Sequence, residues 1–335
     1  MRRGHLIAAG VAIALVAGVA GAAWAQQRAR KPVARLNYSG SIYATTSVVA
    51  VERGYFDEEG LIVNASPESS GQVALSALIG GSTDFAVGAN VRPIQALARD
   101  LPIKVIALST YGFAGYVIVP AHDTTTKSLE ELKGKSLAVQ VGSGTHTVWL
   151  RYLALKGIDE KASFKIRNMD TEQIPAAFES KSVEGGIAWD PFASVILDKK
   201  LGRAILGPKG IAEPLKVTYP FFVMTTDNVI RGKTETVQRF ANAWVKTLKY
   251  IHENKDEVAE VMSAFFAREG LKLQPKLIRD MLGRSHFDRA AVSDADIEDT
   301  MASARIQYEQ KRLRKLPDLR KAVDNSFVER AQRGR

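Results

Sequence analysis

From residue 34 onward, short apolar and β-branched runs alternate with longer runs whose apolar positions recur every three or four residues. Ala34–Tyr38, Leu61–Ala65, Phe85–Val87, Lys104–Ser109 and Tyr116–Pro120 read as strands, with helices over Ser47–Glu59 and Arg92–Asp100. A second cycle starts at Ser136–Val141, with further strands at Phe164–Asn168, Gly186–Ala188 and Phe221–Thr225. Helices fall on Thr145–Lys156, Gln173–Glu179 and Pro191–Lys199. Such alternation predicts an α/β protein with mostly parallel sheet covered on both faces. The pattern runs twice, with two connections expected near residues 118–123 and 217–224.

Beyond Thr226 the pattern is helical only. Val237, Phe240, Ala241, Trp244, Leu248 and Ile251 form one apolar stripe, and similar stripes occupy Glu257–Ala267, Pro275–Leu282 and Asp296–Lys311. These helices need a sheet, or one another, to bury that stripe, which places Trp244 in the core.

In open α/β sheets, ligands sit beyond the carboxyl ends of strands, where helix N-termini point at them. Three junctions carry the small residues that let backbone N–H groups approach a ligand. They are Ser39-Gly40-Ser41, with Tyr43 close behind, then Gly88-Ala89-Asn90, and Gly142-Ser143-Gly144-Thr145-His146. Ser41, Ala89, Asn90, Ser143, Gly144, Thr145 and His146 are thus candidate ligand contacts, although Ser and Asn at such places also cap helices. Trp189 offers a flat apolar wall. Asp190 either accepts from an amine or hydroxyl of the ligand or caps the helix beginning at Pro191. Tyr111, Gly112 and Tyr219 flank the connections and either line a cleft or pack beside a hinge.

The N-terminus changes the picture of compartment. Arg2 and Arg3 precede an uncharged stretch, and Ala23-Trp24-Ala25 fits a signal peptidase site before Gln26. Residues 1–25 are therefore expected to be a secretory signal cleaved near Ala25; an uncleaved anchor is the competing reading of Leu6–Ala25. The chain contains no cysteine, so disulfides, thiolate metal sites and a lipid-bearing cysteine are excluded. The five histidines are scattered, and no metal or other cofactor is expected. The net charge of +10 is local: the signal contributes +2 and residues 301–335 contribute +6, which leaves +2 for residues 26–300. That distribution gives no nucleic-acid footprint.

Several blocks together carry a resemblance. Arg53-Gly54-Tyr55-Phe56-Asp57-Glu58-Glu59-Gly60-Leu61-Ile62-Val63 is similar to the hallmark of the nitrate/sulfonate/taurine substrate-binding proteins. Ala77 to Gly88, Ser128 to Lys135, Gly142 to His146 and Trp189-Asp190-Pro191-Phe192 follow in that family's order. The resemblance covers residues 34 to about 250. It implies a two-lobed type II periplasmic-binding-protein fold with a helical C-terminal segment. Lobe one would combine residues 27–119 with 224–335, and lobe two would span 120–223.

By the same resemblance, the chain would be a monomeric periplasmic component of an ABC importer that closes on a small solute and hands it to permease and ATPase subunits. Membrane contact would come only through the permease. An aliphatic sulfonate or a taurine-like zwitterion is the first expectation for the ligand, ahead of other organic anions and nitrate. A sensor for a membrane receptor kinase and a binder of thiamine pyrimidine precursors are the alternatives of the same fold. An enzyme is not expected. The pyrimidine synthases that share the architecture carry a cysteine-rich motif, and Ser143 lacks the Gly-x-Ser-x-Gly elbow of a serine hydrolase.

Overall fold

The computed structural model describes residues 31–334. The expected signal sequence lies outside the described residues. Ten strands form two five-stranded mixed sheets. The first holds β1 (Val33–Ser39), β2 (Ile62–Glu68), β3 (Phe85–Ala89), β4 (Ile103–Thr110) and β10 (Phe221–Thr226), in the order β2-β1-β3-β10-β4. The second holds β5 (Gly115–Pro120), β6 (Ser136–Val139), β7 (Lys165–Asn168), β8 (Gly185–Trp189) and β9 (Gly202–Leu206), in the order β7-β6-β8-β5-β9. Each sheet contains one antiparallel strand, and in each case it is the strand on which the chain arrives from the other sheet. The two orders are therefore equivalent, and the molecule is an α/β protein of two similarly built lobes.

The pairing moves the first crossing. β5 hydrogen-bonds to β8 and β9, not to the first sheet, so the chain changes lobes at residues 111–114, ahead of the expected 118–123. The first stretch of lobe one accordingly ends before Gly115 and not at residue 119. The return runs through the helix Pro208–Leu215 before β10. Strand β9 and the helix Gly71–Ile79 were not anticipated from periodicity. β9 is a short edge strand that carries Arg203, and its strand character comes from pairing with β5.

The helix expected over Ser47–Glu59 is two helices, Thr45–Glu52 and Tyr55–Glu58. Gly54 between them has φ +70°, a conformation that only glycine adopts freely. Tyr55 and Phe56 pack beneath that turn, and Phe56 stacks on Phe240 with ring centroids 5.1 Å apart. The following block is also structural. Asp84 is buried and accepts from the Arg35 backbone and side chain and from Lys233 Nζ, tying β1 to the segment after β10.

The C-terminal helices pack on the first lobe. Trp244 on Thr234–Glu253 is fully buried, and its indole N–H donates to the Leu108 carbonyl at 3.1 Å. Helix Asp294–Glu309 reaches over to the second lobe, where Asp299 accepts from Arg151 at 2.6 Å. Among the described residues no helix is long and apolar enough to cross a membrane.

Candidate functional site

Six strands end at one cleft. The ends of β1, β2 and β3 and the turns after them supply Ser39–Ser41, Ser69–Gly71 and Ala89 from the first lobe; those of β6, β7 and β8 supply Gln140, Asp170–Glu172 and Trp189 from the second. The cavity measures about 630 Å³ counting its mouth, within the range of small-molecule sites. Two helices of useful length start at its wall. Ser70 caps Gly71–Ile79 by accepting from Val73 N–H at 3.4 Å, and Ser143 caps Gly144–Leu155 by accepting from His146 N–H at 3.0 Å. Their remaining N-terminal amides present partial positive charge to the cleft.

The lobes meet at its floor. A methyl group added to Gly144 would lie 2.5 Å from the Tyr219 hydroxyl and 3.0 Å from Ala89 Cβ, so the two junctions touch only because position 144 has no side chain. Tyr219 itself has φ +51°, a strained conformation for tyrosine. Two bonds hold it there: its N–H donates to Asp299 Oδ2 at 2.9 Å, and its hydroxyl pairs with Thr145 Oγ1 at 3.1 Å. Burial raises the hydroxyl pKa above the usual range, so Tyr219 stays neutral.

The buried charge on the cleft wall is Arg92, in the first turn of the helix Val91–Leu97 and 9% exposed. Its Nη1 donates to Gln72 Oε1 and Gln95 Oε1, both at 2.8 Å. Among the described residues its Nε has no partner, and no carboxylate lies within ion-pair distance. Desolvation brings its pKa down to about 10, which leaves it cationic at neutral pH. Its berth is cut by two glycines. A Cβ at Gly88 would sit 2.9 Å from Arg92 Cγ, and one at Gly71 would sit 3.4 Å from Nε. A buried cation backed by neutral amides is costly unless an anion joins it.

The cleft gathers six of the candidates named from sequence: Ser41, Ala89, Ser143, Gly144, Trp189 and Tyr219. Seven others lie elsewhere. Tyr43 is buried against Phe221, rings 4.1 Å apart, and its hydroxyl accepts from Ala114 N–H. Asn90 is fully buried, and neither of its side-chain polar atoms is paired among the described residues. Tyr111 stacks on His286 and donates to Asp288. Gly112, at φ +118°, donates its N–H to Thr218 O, and any side chain there would collide with the Arg284 carbonyl. Thr145 is occupied by Tyr219. His146 points away from the cleft: its Nδ1 accepts from Gly142 N–H, and its Nε2 lies 3.0 Å from Glu160. Asp190 is wholly buried and bonded to Ser194 Oγ at 2.6 Å and Arg284 Nε at 2.9 Å. Burial pushes its carboxyl pKa up, and Arg284 and Ser194 pull against that.

Sequence reasoning missed Arg92, Gln140, Asp170, Glu172 and Phe192. For Arg92 a signal existed: a lone arginine in the otherwise uncharged run Val91 to Leu97, directly after a glycine-bearing junction. Among the described residues no group of three or more metal-ligating side chains is placed to hold an ion.

A curated Bacillus subtilis protein, provisionally named an aliphatic sulfonates-binding protein, is 23% identical over 85% of this chain and 84% of its own length. The alkanesulfonate-binding protein SsuA from Xanthomonas axonopodis pv. citri, solved bound to MOPS, superposes with a TM-score of 0.74. It is 20% identical, and the match covers 87% of this chain and 98% of that one. The periplasmic nitrate-binding protein NrtA from Synechocystis PCC 6803 superposes with a TM-score of 0.72 at 15% identity, covering 90% and 88%. These structures share the two-lobed fold. The model of the NMT1-like family matches residues 27–265, and the chain belongs to that family.

Proposed function

We propose that the protein is the extracytoplasmic solute-binding component of an ABC importer and captures a small organic anion, an aliphatic sulfonate first, between its two lobes. The observation that carries this reading is Arg92: a buried cation on the cleft wall with, among the described residues, an unused N–H and no carboxylate partner. Two helix N-termini add to the same sign of potential. Relatives and structural neighbours named for sulfonates and nitrate support the class of solute. The cleft wall presents backbone amides, serines and Trp189, a constellation suited to holding an oxyanion and its apolar tail. Closure of the lobes around the ligand would give permease and ATPase subunits a distinct shape to recognise.

Titration calorimetry of the protein against short n-alkanesulfonates tests it. The expected result is micromolar binding that Arg92→Gln weakens by about 100-fold, roughly 2.8 kcal/mol. Equal affinity in the variant would remove Arg92 from the site and the anion reading with it.

A further inference from the structure

The two lobes are joined by more than the crossings of the chain. Helix Asp294–Glu309 is seated on the first lobe, where Ile297 packs in one buried cluster with Leu108 and Phe222 of the first sheet. Its other side runs antiparallel along Gly144–Leu155, the second-lobe helix whose N-terminus faces the cleft. Arg151 Nη1 donates to Asp299 Oδ1 at 2.6 Å and to Ser303 Oγ at 3.2 Å. One turn nearer the cleft, Gln307 Nε2 donates to Thr147 Oγ1 at 3.4 Å. The Arg151 and Asp299 side chains are 9% and 2% exposed, so little water competes for the bond between them.

The second carboxylate oxygen of Asp299 serves the return crossing. Oδ2 accepts from Tyr219 N–H at 2.9 Å and from Thr218 Oγ1 at 3.4 Å. Tyr219 in turn pairs its hydroxyl with Thr145, on the same second-lobe helix as Arg151. The contacts therefore close a ring, from Asp299 to Arg151, along the helix to Thr145, across to Tyr219 and back to Asp299. A ring of three elements cannot shear without breaking one of its bonds, whereas two bare crossings would twist freely. The bond from Asp299 also helps to hold the Tyr219 backbone at φ +51°. Asp299 stands behind the cleft wall, and Tyr219 and Gly144, which it steadies, form the floor.

We propose that Asp299 is a positioning residue for ligand binding. It ties the return crossing to the second lobe, keeps the floor assembled before the ligand arrives and confines the unliganded lobes to a narrow range of separations. The affinity of the cleft then depends on a carboxylate that no ligand touches, because every opening of the ring lowers the fraction of protein competent to bind. This role rests on the cleft being the ligand site, but not on the ligand being a sulfonate.

The chain lacks cysteine, so nitroxide labels at Val73→Cys and Val141→Cys, exposed positions beside the cleft on opposite lobes, report lobe separation by pulsed electron resonance. This labelled parent is compared with the same protein carrying Arg151→Met and Asp299→Asn together, a change that leaves neither charge buried without its partner. Arg151→Met alone, which leaves Asp299 its bonds to the crossing, is the second variant. Without ligand both should give a longer and broader distance distribution, the double variant more so. Calorimetry with n-propanesulfonate should show about tenfold weaker binding by the folded double variant, and saturation with it should restore the parent distance. An unliganded distribution that is unchanged in the folded variants would overturn the role of Asp299, as would a longer distance with unaltered affinity. Failure of n-propanesulfonate to bind the parent would overturn the sulfonate reading instead, and the unliganded distances would still decide the role of Asp299.

Discussion

Strands β3 and β8 stand third in their respective sheets, and the residues just past their ends behave differently in the two lobes. One residue beyond the strand stands Asn90 in the first lobe and Asp190 in the second, both completely buried. Three residues beyond stand Arg92 and Phe192, both on the cleft wall. Both lobes thus bury charge near the same cleft, but they treat it in opposite ways. Asp190 is matched by Arg284, whose Nη2 lies 2.7 Å away, and by Ser194. Arg92 is matched by nothing of opposite sign among the described residues. The difference teaches that burial alone does not mark a binding group. A buried charge whose partner is already in the chain holds the fold, and one whose partner is missing is available to a ligand.

The largest effect that would break this contrast is on stability. Arg284→Ala leaves the buried Asp190 carboxylate with the Ser194 hydroxyl but no counter-charge, and should cost about 3–5 kcal/mol in urea denaturation. A loss under about 1 kcal/mol would mean that Asp190 is not held as an ion pair. Next comes Asp84, which burial pushes up but hydrogen bonds from Arg35 and Lys233 pull further down, below the usual carboxylate range. Because its folded pKa is the depressed one, its contribution is full above the unfolded value of about 3.9 and is lost as pH falls through the folded value. Asp84→Asn should cost about 2 kcal/mol at pH 7 and progressively less in acid, since Arg35 and Lys233 are both partly exposed and can rehydrate. A deficit independent of pH would show that the charge is not what Asp84 supplies.

Arg92 should behave in the reverse sense. Arg92→Met removes a buried charge that the ligand-free protein does not neutralise, so the unliganded variant should be more stable by about 1 kcal/mol while losing the anion. A destabilised variant would assign Arg92 to the architecture, like Arg284, and erase the distinction between the lobes.

Much of the fold was legible in the chain because helices and strands announce themselves through periodicity, and both α/β cycles and the helical end follow from it. The junctions were legible too, since glycine and serine after an apolar strand have few other uses. What escaped is the pairing between distant residues. Whether Asp190 faces the ligand depends on Arg284, 94 positions later, and no local pattern records that contact. His146 likewise looked available until Glu160 claimed its Nε2. Arg92 escaped for the converse reason: a single arginine on a helix ordinarily reads as a solvated residue. Only the surrounding structure shows that Gly71 and Gly88 make room for it and that no acid joins it.

The smallest expected effect sharpens the comparison from the helix caps. Ser143 and Ser70 each cap a cleft-facing helix, one in each lobe, but with different geometry. The Ser143 bond is 3.0 Å long and buried, whereas the Ser70 bond is 3.4 Å long and exposed. A cap contributes in proportion to how well it replaces water at an orphan N–H, so the buried one should matter more. Ser143→Ala should cost about 1 kcal/mol and Ser70→Ala only a few tenths, read from denaturation midpoints. If adding a saturating sulfonate widens the Ser143→Ala deficit but leaves that of Ser70→Ala unchanged, the Ser143 hydroxyl contacts the anion as well as the helix. If both deficits stay as they were, the two serines are caps alone, and the anion is held by Arg92 and the backbone amides.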